Sequence, residues 1–209
     1  MFDAALRMLA QILLSRPVRR AAGLSPTHVF GSQYHHLLAA VQARLVASGQ
    51  ATPVEFDDDD KVVTYWYTKD SFDPGLDFRA LHQLLRTGSH PNALHLSVLA
   101  AYLIEALLKL PSRNAFSYRV IRYYPDFVAD YALNSIVTEK GFLSASRNPR
   151  IGFPGQIYFT LMGRSGRFIG GMSEFLEEDE ILFPPQIKFK VMDIEPLADR
   201  SMHVIMEEQ

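Results

Sequence analysis

Residues 92–124 read NALHLSVLAAYLIEALLKLPSRNAFSYRVIRYY. The first part, 92–109, is a long apolar run interrupted by His95, Glu105 and Lys109. It is nearly long enough to span a bilayer, but ionisable side chains within it oppose a lipid environment. The expectation is therefore a buried core helix, ended by Pro111. Beyond that proline the periodicity changes from helical to short apolar, aromatic and β-branched runs that suit strands. The chain thus switches from helices to strands near residue 111.

Upstream of the switch, LDFRALHQLLR (76–86) places Leu76, Phe78, Leu81, Leu84 and Leu85 on one side of a helix that Thr87-Gly88-Ser89-His90-Pro91 stops. QYHHLLAAVQARLVAS (33–48) has helical spacing, as does MFDAALRMLAQILLS (1–15). The latter carries Asp3 and Arg7 early and lacks a small-residue cleavage site, so it reads as an amphipathic helix rather than a signal peptide. RPVRRAAGLSPTH between them reads as a basic turn segment. DDDDK at 57–61 reads as a solvated loop, and it coincides with a common protease-cleavage tag. VVTYWYT (62–68) has strong strand propensity, an aromatic helix start being the alternative. Downstream, FSYRVIRYY (116–124), GFLSAS (141–146), QIYFTL (156–161), RFIGGM (167–172), EILFP (180–184) and IKFKVMDIE (187–195) read as strands. Helices first and strands afterwards predict an α+β fold with a mixed or antiparallel sheet.

The 209 residues are 48% apolar and 21% charged, which suits one compact domain with a sizeable core. A net charge of -2 gives nothing global to attract nucleic acid or an anionic membrane. There is no Cys, which excludes disulfides, thiolate chemistry and Cys-ligated zinc. His35, His36 and His95 lack partners at ligand spacing, so no metal is expected.

Three polar islands stand out on the apolar strands. Arg119 and Arg122 alternate to opposite faces of the first, and a buried guanidinium calls for a carboxylate or phosphate partner. Ser144 and Ser146 share one face of the second. SEFLEEDEILFPP (173–185) crowds Glu174, Glu177, Glu178, Asp179 and Glu180 against an apolar strand. As strand residues, Glu178 and Glu180 would lie on one face roughly 6–7 Å apart, with Glu177 and Asp179 pointing away. A carboxylate entering a buried strand is costly unless it is hydrogen-bonded or functional.

Taken in chain order, these islands resemble the mono-ADP-ribosyltransferase toxins of the Arg-Ser-Glu class, the bacterial ADP-ribosyltransferase exoenzymes. The resemblance covers roughly residues 65–195. Tyr67-Thr68 with FRALHQLLR, YLIEALLKLP, Tyr118-Arg119, Phe142-Leu143-Ser144-Ala145-Ser146, Gly166 and SEFLEEDEILFPP with FKV match the family's motifs in sequence. Two positions depart: Val120 stands where Gly is common, and Ala145 where Thr is common.

The resemblance implies an ADP-ribosyltransferase-like fold, N-terminal helices followed by a mixed or antiparallel two-sheet β core. It places the catalytic domain at 61–209, with 1–60 a helical extension or lobe. It implies cleavage of NAD at the nicotinamide–ribose bond through an oxocarbenium-like sugar, and transfer of ADP-ribose to a protein side chain. Arginine is favoured because Glu precedes the last Glu by two. Transfer to Thr on a small ubiquitin-like protein, NAD glycohydrolysis and an inactive NAD- or target-binding module are the alternatives. By the same resemblance Arg119 binds the diphosphate or ribose, Ser144 holds the catalytic carboxylate, Glu180 binds the ribose 2′-hydroxyl and stabilises the cation, and Glu178 engages the acceptor. Tyr118, Ser146, Arg147, Arg150 and Phe153 are candidates for NAD contact, and Phe175 for target recognition. Asp126, Glu139 and Asp179 are left solvated. NAD as substrate without a metal, a host target protein as partner, a monomer, and a secreted bacterial effector acting in the target-cell cytoplasm complete the expectation.

Overall fold

The structure, a computed structural model, describes residues 16–70, 72–122, 131–149, 157–197 and 201–209. The expected helix over 1–15, and with it Asp126, Arg150 and Phe153, lie outside the described residues. The chain divides into two compact units. One runs to Leu110 and takes in Gly171–Leu176; the other comprises Pro111–Gly170 and Glu177–Gln209.

The first unit is helical, with α1 (Arg16–Ala21), α2 (Pro26–Phe30), α3 (Gln33–Ser48), α4 (Asp58–Thr68), α5 (Phe78–Thr87) and α6 (Ala93–Lys109). The last three meet around Trp66, Leu81, Leu96, Leu99 and Leu103, all fully buried. α6 is the buried core helix that its apolar run predicts.

α4 overturns two expectations. Residues 62–68 are helical rather than a strand, and DDDDK is the helix start rather than a solvated loop. Asp57 is the N-cap: its carboxylate accepts from Asp60 N at 3.0 Å, and Asp60 Oδ2 accepts from Asp57 N at 2.8 Å, closing a capping box. Acids in the first turn also oppose the positive end of the helix dipole. Val62 to Tyr67 are all buried, so the segment is covered on every side, as a central helix can be. Strand propensity in a β-branched and aromatic run thus yields to a strong cap and all-round burial. The acids have partners already in place. Asp59 accepts from Tyr34 Oη at 2.7 Å and pairs with Arg20 at 2.6 Å, and Asp60 pairs with Lys109 at 2.6 Å. An appended tag would find no such set waiting.

The second unit holds β1 (Ala115–Ile121), β2 (Ile136–Glu139), β3 (Leu143–Ser146), β4 (Ile157–Gly163), β5 (Arg167–Phe168), β6 (Glu180–Phe183), β7 (Ile187–Pro196) and β8 (Met202–Glu208). Their order is β2-β7-β8-β4-β1-β3-β6-β5. The sheet is mixed: β4 and β8 run parallel, and the other pairings are antiparallel. The eight strands form one sheet where two were expected, its halves joined between β1 and β3 by the single pair Tyr118↔Ser146. Leu143, Ala145, Phe159, Leu161, Ile181, Phe183, Phe189, Val191, Val204 and Met206 build its core. Gly166 is needed here, because a Cβ would lie 2.8 Å from Ile181 and 2.9 Å from Phe183. The sequence reading did not anticipate β2 and β8. IVTE is short with half its positions exposed, and MHVIMEE mixes acids into its apolar face.

Candidate active site

β3 explains itself from its sequence. LSAS alternates, so Leu143 and Ala145 enter the core while Ser144 and Ser146 face the other way. Ala145 sits among Leu143, Phe159 and Ile181, and a Thr there would carry a hydroxyl into the apolar core.

β1 pairs with β4 along its whole length, from Ala115↔Gly163 to Ile121↔Ile157. With β3 it pairs only at Tyr118↔Ser146. The two strands then part and leave a cleft lined by Tyr118, Arg119, Val120, Ser144, Ala145, Ser146 and Glu178. Arg119 spans this gap, its Nη1 donating to the Ser144 carbonyl oxygen. Arg122 lies past the strand end and is exposed, so only the first arginine is committed to the site. Val120, the departure from Gly, is among the residues that line the cleft.

Glu180 begins β6 opposite Ser146, and Ser144 lies opposite Leu182. Ser144 Oγ donates to Glu180 Oε1 at 2.6 Å. Glu180 is 5% exposed, and Ile169 N donates to its backbone carbonyl at 2.9 Å. A buried carboxylate is thereby oriented in part by a neutral hydroxyl, which fixes the direction of one of its oxygens.

The residues just before β6 depart from the strand geometry expected of them. Leu176–Glu178 is a turn of 3-10 helix, and Asp179 has φ 49° in the left-handed region. Glu178 is therefore not a strand residue, and alternation does not place it beside Glu180. Glu178 borders the cleft because the chain turns sharply at Asp179, which favours Gly, Asn or Asp. Ser146 secures this turn. Its Oγ donates to Glu178 O at 2.7 Å and accepts from Asn148 N at 2.9 Å. Asp179 is not left to solvent: it accepts from Arg147 Nη2 at 2.5 Å, and Arg147 Cζ stands 3.9 Å over the Phe168 ring. Glu139 likewise has a partner, accepting from Tyr131 Oη at 3.0 Å.

Of the other acids in the opening run, Glu177 is exposed. Glu174 belongs to the helical unit, where it pairs with Lys69 at 3.0 Å and accepts from Asp70 N at 2.8 Å. Phe175 is half-buried in that same unit, its N–H donating to Ser173 Oγ at 3.3 Å. The structure thus brings together Tyr118, Arg119, Ser144, Ser146, Glu178 and Glu180. The sequence reading passed over Phe168 and took Asp179 as solvated, because the role of both depends on Arg147, the residue that follows β3.

The model of NAD:arginine ADP-ribosyltransferases matches residues 28–209. The NAD(+)--protein-arginine ADP-ribosyltransferase Tre1 of Serratia proteamaculans is 28% identical over 116 residues, 56% of this chain and 26% of that protein. The putative NAD(+)--arginine ADP-ribosyltransferase Mav of Mycobacterium avium is 28% identical over 157 residues, 72% of this chain and 18% of that protein. The chain spans only about a quarter or less of the length of these curated relatives. The fold is that of the type III effector XopAI from Xanthomonas axonopodis pv. citri, at TM-score 0.72 and 21% identity over 96% of this chain and 91% of that one. With the family match running through nearly all of the helices and the whole sheet, the chain belongs to the NAD:arginine ADP-ribosyltransferase family.

Proposed function

We propose that the chain is a mono-ADP-ribosyltransferase that cleaves NAD at the nicotinamide–ribose bond and transfers ADP-ribose to an arginine of a target protein. The observation that carries this reading is Glu180, buried, oriented by Ser144 Oγ at 2.6 Å and set beside a cleft that Arg119 spans. NAD supplies the chemistry, a glycosidic bond whose departure leaves the ribose carbon electron-poor. Glu180 stabilises that charge and holds the ribose 2′-hydroxyl. Arg119 commits one N–H to the Ser144 carbonyl and directs the rest of its planar fork at the diphosphate or ribose. Tyr118 offers an aromatic wall. Glu178, at the rim, orients the acceptor guanidinium and takes its proton. Phe175 contributes to target recognition.

The residues fit NAD as substrate, since a fixed cation and a fixed carboxylate at one cleft suit an anionic dinucleotide with a positively charged leaving group. The catalytic domain is read as 61–209 with 1–60 a helical extension or lobe, and the family match from residue 28 supports counting part of that lobe with it. The partner is a protein bearing an accessible arginine, and the setting is that of a secreted bacterial effector. Support for that setting comes from the effector description of a structure with the same fold. Among the described residues no helix is long and apolar enough to cross a membrane.

Labelled NAD incubated with the protein and a cell lysate is expected to label discrete protein bands at arginine, and Glu180→Ala to lower labelling by about a thousandfold. Equal labelling by both forms overturns the assignment of Glu180. Nicotinamide release with no labelled macromolecule makes the protein an NAD glycohydrolase.

A further inference from the structure

Arg147 lies at the end of β3, where an arginine beside a nucleotide cleft suggests a phosphate ligand. The structure gives it other work. Its guanidinium stacks on Phe168, with Cζ 3.9 Å from the ring centroid, and its Nη2 reaches Asp179 Oδ1 at 2.5 Å. Its backbone N–H donates to Asp179 O at 3.1 Å. Asp179 is thus gripped at both its carbonyl and its carboxylate, and it is the residue with φ 49° between Glu178 and Glu180. Phe168 in turn lies opposite Ile181 on the strand that Glu180 begins.

We propose that Arg147 and Asp179 are positioning residues, forming a clamp that sets Glu178 at the acceptor side of the cleft while Glu180 is held separately. The clamp rests on the transferase reading above. The separation follows from what anchors each glutamate. Glu180 is fixed by its place opposite Ser146 in the β3–β6 ladder, by Ile169 N on its carbonyl, and by Ser144 Oγ on its carboxylate. Glu178 precedes the ladder, so its direction depends on the turn. That turn is held by Ser146 Oγ on the Glu178 carbonyl and by the Arg147 grip on the next residue. A left-handed non-glycine residue is conformationally costly, and a paired carboxylate offsets that cost. Releasing the grip lets the turn relax without disturbing the strand that follows. The consequence is a selective defect: loss of the clamp impairs transfer to an acceptor and spares cleavage of NAD with water.

The test compares two reactions of the same full chain: ADP-ribosylation of agmatine, a small guanidino acceptor, and hydrolysis of NAD. Asp179→Asn keeps a side chain that tolerates left-handed backbone and removes the charge. It is expected to lower kcat for agmatine transfer about tenfold while leaving kcat and KM for NAD hydrolysis within about twofold. Arg147→Ala combined with Asp179→Asn is expected to transfer no more slowly than Asp179→Asn alone, because both changes break one interaction. Arg147→Lys is expected to recover most of the transfer lost in Arg147→Ala. A raised KM for NAD in Arg147→Ala with Asp179→Asn unaffected overturns the clamp and makes Arg147 an NAD ligand. Equal losses in both reactions also overturn it. A wild-type protein that neither hydrolyses NAD nor modifies agmatine overturns the transferase reading, and the clamp falls with it.

Discussion

Two runs of four acids, Asp57–Asp60 and Glu177–Glu180, look alike in the sequence and do opposite things in the structure. The first is consumed by folding. Asp57 caps α4, Asp58 meets Lys61 at 2.8 Å, Asp59 meets Tyr34 and Arg20, and Asp60 meets Lys109. The second is divided between structure and site. Asp179 pairs with Arg147, Glu177 is exposed, Glu178 borders the cleft, and Glu180 is oriented by the Ser144 hydroxyl. Acids that meet cations lose their field to the partner. In the second run, Glu180 takes a neutral hydroxyl from a strand bordering the cleft. Acid density alone does not separate a structural cluster from a catalytic one.

Three changes test that contrast, beginning with the largest effect. Asp60→Ala removes a fully buried carboxylate that both caps a helix and pairs with Lys109, and is expected to lower unfolding free energy by about 3 kcal/mol. Urea unfolding measures this, while NAD hydrolysis by the folded fraction stays at the wild-type rate. A loss of hydrolysis with stability unchanged breaks the distinction between the two runs.

Ser144→Ala is expected to act in the other direction. It leaves Glu180 buried without its orienting donor, lowering kcat about tenfold and shifting stability by about 1 kcal/mol or less. Steady-state kinetics beside a urea titration separate the two effects.

The smallest change is Tyr34→Phe, which deletes the hydroxyl donating to Asp59 and is expected to cost about 1 kcal/mol at neutral pH. Burial, and then the hydrogen bond to Asp59, push the Tyr34 hydroxyl well above its ordinary value of 10.0. A group raised on folding contributes its full stability below the unfolded value and loses it as pH climbs past that value. The wild type is therefore expected to lose stability relative to Tyr34→Phe as pH rises above about 10. Parallel unfolding curves for the two proteins through that range count against a buried Tyr34–Asp59 bond.

Much of the site was legible in order along the chain. Arg119, Ser144 and Glu180 stand on separate strand signals, and those strands prove adjacent through β1–β3 and β3–β6 pairing. Glu178 was picked out by its place in the Glu-x-Glu motif, and the strand alternation also read for it fails at the left-handed Asp179. A single positive φ leaves little trace in composition when the residue is Asp rather than Gly. β8 was missed although it sits between β7 and β4 near the middle of the sheet, because its acids mask its alternation. The helix at 58–68 was read only as the alternative because local propensity favoured a strand, whereas the capping box and burial on all sides settled the matter.

The sequence by itself determined that helices precede strands, that no thiol chemistry is available, and which arginine, serine and glutamate are candidates in order. These follow from periodicity and residue type, which act over a few positions. Only the tertiary structure decided that β1 and β3 part after one pair to open a cleft, that Ala145 packs inward, and that one acid run folds into a core while another turns at Asp179. Those outcomes depend on donors and cations brought from distant positions: Tyr34 and Lys109 for the first run, Ser144 and Arg147 for the second. A carboxylate's role is set by its partner, and the partner is chosen by the fold.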